Sequence, residues 1–343
     1  MRALLISPDP TSNAGGVERF CRLLAAALET AGWTASLIGP ASEVPPLLDR
    51  IGLGPSLQAV AVTRRARAEH GDLVVGNGFL GGPAGRRRIH VFHGTMVRHV
   101  TAGGDGSRRY RLRQAVGGAI PEALCGRGAT TVAVSSSTAA ELEQLYCQPV
   151  DAVIPNGVDT NLFSPGDRLE ARGRLGLDPS DRYALFVGRF EHRKGADFVP
   201  EACRQAGFTL LVAGSGAPSS ARSLGILRPA DLAHAYRAAD CVVLPSRYEG
   251  CSFVVLEALA SGVPLITTPV GWMRDFLRAC PGYSRFIVRP ERASLTRALG
   301  TLADPDGIPD QVLAEARDHV ERHNGLEAFG RQWLALISEV CTP

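Results

Sequence analysis

Residues Leu244–Pro264, LPSRYEGCSFVVLEALASGVP, decide how this chain is read. The stretch starts on the end of a buried strand, CVVLP from Cys241 to Pro245, passes through a polar loop, and enters a short helix from about Ser252 to Ala260. Two carboxylates, Glu249 and Glu257, stand on either side of the helix start. Gly250, Cys251 and Ser252 leave the first backbone N–H groups of that helix open to an incoming anion or hydroxyl. Glu257 falls on the second turn, among Val254, Val255, Leu256, Ala258 and Leu259. A carboxylate buried there without a partner costs several kcal/mol, and the hydroxyls of a polyol ligand would serve as partners. A structural alternative accounts for the same residues: one carboxylate favoured by the helix dipole and one half-exposed helix glutamate.

Upstream, strand Tyr183–Val187, the loop GRFEHRKGAD, a helix, strand Thr209–Ala213 and the loop GSGAP repeat the strand-loop-helix theme. Arg189 and Lys194 lie in the first of these loops. Two cations at the carboxyl ends of parallel strands suit a diphosphate without a metal. Of the 37 basic residues, Lys194 is the one lysine and the other 36 are arginine. A compact ammonium on a flexible stem is something arginine does not reproduce, so this position stands out.

The chain opens in the same way. Strand Ala3–Ser7 leads through PDPTSNAGG to a helix over Val17–Thr30, and Gly15 and Gly16 allow close approach of phosphate or sugar. A tight turn explains the two glycines nearly as well, and no GxGxxG fingerprint is present. Further strands are expected at Ala35–Ile38, Leu73–Gly76, Ile89–Phe92, Thr131–Val134, Ala152–Ile154, Ser223–Ile226, Pro264–Thr268 and Phe286–Arg289. Helices are expected at Ala230–Ala239, Ser294–Thr301 and along a C-terminal stretch broken near Asn324-Gly325. Thr138 and Glu141 have capping-box spacing. Strands alternating with amphipathic helices specify an α/β fold with mainly parallel sheets. Pro155–Arg168 has the Pro/Gly/Asn/Asp density of a connector between two domains, which a length of 343 residues also suggests.

His93 follows strand Ile89–Phe92 and so points into the crevice where α/β sheets bind ligands, although a structural histidine is the plainer reading. The His90/His93 pair has HxxH spacing, but on a strand the two side chains face opposite ways, so a metal is rejected there. Asp304-Pro305-Asp306 is formally a DxD, read as a turn rather than a metal site. A net charge of +3 gives no reason to expect nucleic acid. The apolar runs fall far short of the ~20 residues that span a bilayer, and MRALLISP reads as a first strand rather than a signal peptide. Eight scattered cysteines without a CxxC suit reduced core residues in a cytoplasmic protein. Arg86–Arg88 and the Gly-rich loop Ala102–Arg113 are basic. A solvated surface explains both, and docking on an anionic acceptor or on an acidic inner-membrane face is the sharper reading.

Taken together, AGGVE (Ala14–Glu18), IPNGVDTNLFSP (Ile154–Pro165), FVGRFEHRKGAD (Phe186–Asp197), LLVAGSG (Leu210–Gly216) and the run Leu232–Gly271 resemble the family-4 retaining glycosyltransferases, with Glu249 and Glu257 as the EX7E pair. The resemblance implies a GT-B architecture, two Rossmann-like, doubly wound parallel-sheet domains facing across a cleft. It implies an acceptor-side domain over 1–160 joined by the C-terminal helix 325–343, and a donor domain over 161–324. It implies a nucleotide-diphosphate sugar of UDP or GDP type as co-substrate, with no other cofactor and no metal, and an acceptor that is a glycan, lipid or small molecule. By similarity Arg189 and Lys194 would hold the diphosphate, Glu257 the ribose, and Glu249 with Gly250, Cys251, Ser252 and Phe253 the transferred sugar. Gly15, Gly16, Gly188 and Gly214 would line the donor, and His93 would contact the sugar near the reacting centre. An epimerase, a phosphorylase-like enzyme and a non-catalytic nucleotide-sugar-binding partner are the alternatives. The chain departs from the family pattern in the short link between Gly216 and Gly225 and in Trp272, where a second glycine is usual. An indole there would narrow the donor pocket or pack between domains.

Overall fold

The computed structural model describes residues 1–11, 15–40, 54–82, 85–103, 107–302 and 309–342. The chain divides into two compact units, Met1–Gly157 with Leu326–Pro343, and Val158–Gly325.

The first unit is built from strands β1 (Arg2–Ile6), β2 (Thr34–Ile38), β3 (Leu73–Asn77), β4 (Arg88–Phe92), β5 (Thr130–Ala133) and β6 (Ala152–Val153). Helices α1 (Gly16–Thr30), α2 (Gly54–Glu69), α3 (Met96–Thr101), α4 (Arg108–Cys125) and α5 (Ser136–Tyr146) connect them. All strands are parallel, in the order β2-β1-β3-β4-β5-β6. Strand direction of travel reverses between β1 and β3, and such a switch point leaves a crevice at the carboxyl ends of the strands. The strands are short apolar runs because helices cover both faces, so RALLI and LVVGN are buried almost throughout.

The second unit has β7 (Tyr183–Val187), β8 (Thr209–Ala213), β9 (Arg222–Gly225), β10 (Cys241–Leu244) and β11 (Leu265–Thr267), parallel in the order β11-β10-β7-β8-β9. Its helices are α6 (Arg168–Arg174), α7 (Val199–Gln205), α8 (Pro229–Ala238), α9 (Phe253–Ala260), α10 (Met273–Ala279), α11 (Arg292–Leu302) and α12 (Asp310–Asn324). The switch point here lies between β7 and β10. The chain then returns to the first unit as α13 (Leu326–Cys341), whose Phe329 and Trp333 meet Phe20 of α1 edge-on at 6.0 and 5.4 Å. Val158 N–H donates to Asn324 O at 2.8 Å, so the two chain crossings run side by side.

Several expectations need correction. Phe286–Arg289 is no strand: a 3-10 helix takes Pro281–Phe286, and Ile287 makes only an isolated bridge to Thr267 before Pro290 ends the run. The cap of α5 is Ser135, whose hydroxyl accepts from Thr138 N–H at 3.1 Å, while Glu141 turns away to accept from Thr95 Oγ1 at 3.0 Å. The basic loop Ala102–Arg113 is helical from Arg108 onward. Arg88 is not a free surface cation, because it donates to the carbonyls of Arg127 and Gly128, both at 2.9 Å. The turn expected at Asp304–Asp306 lies outside the described residues.

Candidate active site

In the second unit, the loops after β7 and β10 flank the switch point, and the sequence that fills them is strongly charged. A 3-10 turn over His192–Lys194 ends at Gly195, whose backbone is left-handed (φ 73°) and whose Cβ, if present, would lie 2.3 Å from Pro245 O. Only glycine lets this loop press onto the end of β10. Arg247 fastens the other side with a bidentate pair to Asp197 at 2.8 and 3.0 Å, while its own N–H donates to Arg193 O. Burial raises the Asp197 carboxyl, but the Arg247 guanidinium, the backbone N–H of Asp197 and His192 together hold the group below its ordinary range.

Clamped in this way, the two loops bring Arg193 Nη1 and Lys194 Nζ to 3.7 and 3.8 Å from Glu249 Oε1, which also accepts from Ser246 Oγ at 2.9 Å. Arg193 donates to Glu191 Oε1 at 2.6 Å and to Tyr248 O at 3.0 Å. Its side chain is 11% exposed, against 66% for Arg189, whose Nε lies 3.9 Å from Glu191 Oε2. Arg189, expected beside Lys194 from the sequence, lies in the same loop next to Glu191. It is Arg193 that the fold brings to Glu249. A 3-10 turn of three residues followed by a left-handed glycine folds the end of HRKG back toward the sheet. Arg189, Arg193 and Lys194 against Glu191 and Glu249 leave one excess positive charge.

Glu249 also opens the segment that leads into α9. Gly250 and Cys251 are buried, and Ser252 is the N-cap, with no side-chain hydrogen bond capping the helix. Phe253 begins α9, and its ring is buried. Gly250 O accepts from Trp272 N at 2.7 Å. Gly271 must be glycine, because a Cβ there would lie 2.2 Å from Gly250 O at a positive φ of 55°. Trp272 packs within this unit, against Phe276 at 5.4 Å and His319 at 6.4 Å, and lines a pocket together with Glu249, Ser252, Val255 and Thr268. Glu257, buried on α9, accepts from Tyr236 Oη at 2.7 Å. This phenol on α8 is a partner that sequence reasoning did not foresee, since only the topology brings residues 21 apart together. Gly188 and Gly214 end β7 and β8, where their N–H groups donate to Ala213 O and Gly225 O at 2.8 and 2.7 Å. Lys194 Nζ lies beside Gly188.

The first unit carries the remaining candidates around its own switch point. Gly15 is the N-cap of α1, in an extended conformation without a side-chain cap. The Glu18 carboxylate curls back over it, at the place a Gly15 Cβ would occupy. The positive end of α1 therefore already has a negative charge against it. Asn77, at the end of β3, donates to Ile6 O at 2.6 Å and to Cys21 Sγ at 3.4 Å. Its Oδ1 must then accept, so His93 Nε2, at 2.9 Å, carries the proton. His93 also packs edge-on against Phe20 at 4.8 Å. Burial and the neighbouring His90 push it down to about 3, and burial pushes His90, which donates to Gly78 O at 2.6 Å, down to about 4. Both rings are neutral near pH 7, and His93 Nδ1 is left as an acceptor. After His93, Thr95 caps α3, and Glu122 of α4 accepts from Met96 N–H at 2.8 Å and Tyr146 Oη at 2.7 Å. Burial raises Glu122 to about 7 against these two donors, and Glu141 adds to the rise.

Two family models match the two halves of the chain: Glycosyltransferase Family 4 over residues 14–162 and Glycosyl transferases group 1 over residues 181–304. The chain belongs to the family-4 glycosyltransferases. It is 36% identical over 254 residues to the D-inositol 3-phosphate glycosyltransferase 1 of Catenulispora acidiphila, covering 63% of this chain and 60% of that protein. The match to the Segniliparus rotundus protein of the same activity name covers 37% of that protein, so the chain spans about three fifths or less of these curated relatives. Among solved structures, sucrose-phosphate synthase from Thermosynechococcus elongatus superposes with a TM-score of 0.80 at 23% identity, covering 99% of this chain and 98% of that one. The Anabaena Alr3699/HepE structure in complex with UDP-glucose gives 0.71 at 17% identity, over 99% of this chain and 100% of that one. The family-4 chain thus has the GT-B fold, with parallel sheets of six and five strands.

Proposed function

We propose that this family-4 chain transfers a hexose-type sugar from a UDP- or GDP-type nucleotide sugar to an acceptor hydroxyl, with retention and without a metal. The observation that carries the proposal is the convergence of Arg193 and Lys194 on Glu249 at the second unit's switch point. A departing nucleoside diphosphate gains negative charge as the C1–O bond breaks, and preorganised cations stabilise that charge. Lys194 is the principal diphosphate ligand in this reading, and Arg193 supports it from a more buried position. Glu249, held by Ser246, accepts from hydroxyls of the transferred sugar, and the uncapped start of α9 adds backbone N–H donors. Glu257 accepts from the ribose. His93 Nδ1 accepts from a sugar hydroxyl, and Gly15 and Gly16 allow close approach to the donor. The acceptor oxygen bonds to C1 on the face the diphosphate leaves, and its proton passes to the departing phosphate oxygen. The UDP-glucose complex of Alr3699/HepE, a protein of the same fold, supports a nucleotide-sugar donor.

The test is transfer by the purified chain from a panel of nucleotide sugars, with inositol phosphate as the first acceptor because the curated relatives are named for it. Sugar transfer or slow donor hydrolysis is expected, with the anomeric configuration kept and the rate insensitive to chelator. Lys194→Ala and Glu249→Gln lose most of that rate. Wild-type rates in both variants, or epimerised donor without any acceptor, would overturn the reading.

A further inference from the structure

Helix α4 presents to solvent a stripe that the fold of its unit does not cover. Leu112, Val116, Ile120 and Leu124 recur every fourth residue, and they are 66, 57, 59 and 50% exposed. Single exposed aliphatics are ordinary, but four along about 18 Å of one helix form a patch. Helical geometry sets Arg109 and Arg113 among them, with Arg108 at the edge of the same face, and all three are exposed. The one acidic residue of α4, Glu122, is buried on the opposite side. Helix α2 lies against α4, with Ser56 Oγ donating to Gly117 O at 3.1 Å, and it exposes Leu57 and Val60 with Arg64 a turn further on.

We propose that α4 docks this protein on an anionic lipid surface, its aliphatic stripe entering the headgroup boundary and Arg108, Arg109 and Arg113 pairing with lipid phosphates. Among the described residues of α4, this face carries apolar and positive groups, which complements an anionic bilayer. The stripe runs along the helix, and the long arginine stems beside it can straddle the boundary between acyl chains and headgroups. The second basic cluster does not share this role. Arg88 is bound to the carbonyls of Arg127 and Gly128 beyond the carboxyl end of α4, about a helix length from Arg108.

Flotation of the full chain with vesicles of mixed phosphatidylcholine and phosphatidylglycerol, against phosphatidylcholine alone, tests the proposal. Binding is expected to the mixed vesicles only, weakening as salt rises. The double variant Val116→Glu/Ile120→Glu lowers partitioning about tenfold or more, and Arg109→Glu/Arg113→Glu lowers it similarly and removes the salt dependence. Arg86→Glu leaves it near wild type. If the apolar variant loses its melting transition, the arginine variant carries the test. Equal partitioning to both vesicle types, or wild-type binding by a folded double variant, overturns the proposal. Self-association that Ile120→Glu abolishes, with no vesicle binding, overturns it in favour of a second copy of the chain.

Discussion

In each unit the first strand leads into a glycine-bearing loop and a helical turn, yet the two loops carry opposite electrostatics. After β1, the start of α1 is covered by the carboxylate of Glu18, and the neighbouring His93 is neutral and tied to Asn77. After β7, Arg193 and Lys194 gather at Glu249, and with Arg189 and Glu191 counted the loop has one positive charge to spare. The same topology therefore gives one switch point that offers backbone groups and neutral acceptors and another that offers cations. A diphosphate needs the second kind.

The largest expected effect follows from this contrast. Lys194→Ala should lower kcat/KM by about 10²–10³-fold, whereas Glu18→Gln, which removes a negative charge from the other switch point, should leave donor affinity unchanged or tighter. A loss from Glu18→Gln as large as that from Lys194→Ala would break the comparison. The contrast between two neighbouring arginines is next in size. Arg193→Ala should cost most of the activity and about 2 kcal/mol or more of stability, since Glu191 and Tyr248 O lose a buried partner. Arg189→Ala, at an exposed site, should leave unfolding within about 1 kcal/mol of wild type.

The buried glutamates extend the comparison to stability. Tyr236→Phe removes the phenol donor from Glu257 and should cost about 1–3 kcal/mol in denaturant unfolding. Glu122, in the first unit, titrates the other way from most carboxylates. Its folded value of about 7 stands above the ordinary 4.5, so its stabilising contribution is full below the unfolded value and is lost as pH rises through the folded one. Glu122→Gln should therefore gain melting temperature relative to wild type between about pH 4.5 and about pH 7. A parallel pH profile in the two proteins would show that Glu122 does not titrate there. His90 and His93 act in the opposite sense. Held neutral when folded, they withdraw stability as pH falls below their ordinary 6.5 toward their folded values of about 4 and 3.

The alternation of buried runs with amphipathic helices made the architecture legible, and β7 and β8 fall on the residues the pattern marks because both are continuous apolar runs. The approach of cations to Glu249 was legible at Lys194, where motif and loop position coincide. It was not legible where a turn decides which side chain points inward. Arg189 comes first after the strand and is exposed, while Arg193 is drawn in by the 3-10 turn and Gly195. Nor does local sequence reveal Tyr236 beneath Glu257 or Asn77 beside His93, because both depend on strand order. Helix α4 was hidden by its glycine-rich approach and by aliphatics that face water instead of the core.

Calorimetric titration of three proteins with a nucleoside diphosphate and with its sugar nucleotide tests the central assignment most directly. Lys194→Ala should bind both ligands at least about tenfold more weakly than wild type. Glu249→Gln, having lost a negative charge beside the cations, should bind the nucleoside diphosphate as tightly as wild type or more tightly, and should lose the added affinity for the attached sugar. Unchanged diphosphate affinity in Lys194→Ala would contradict the assignment.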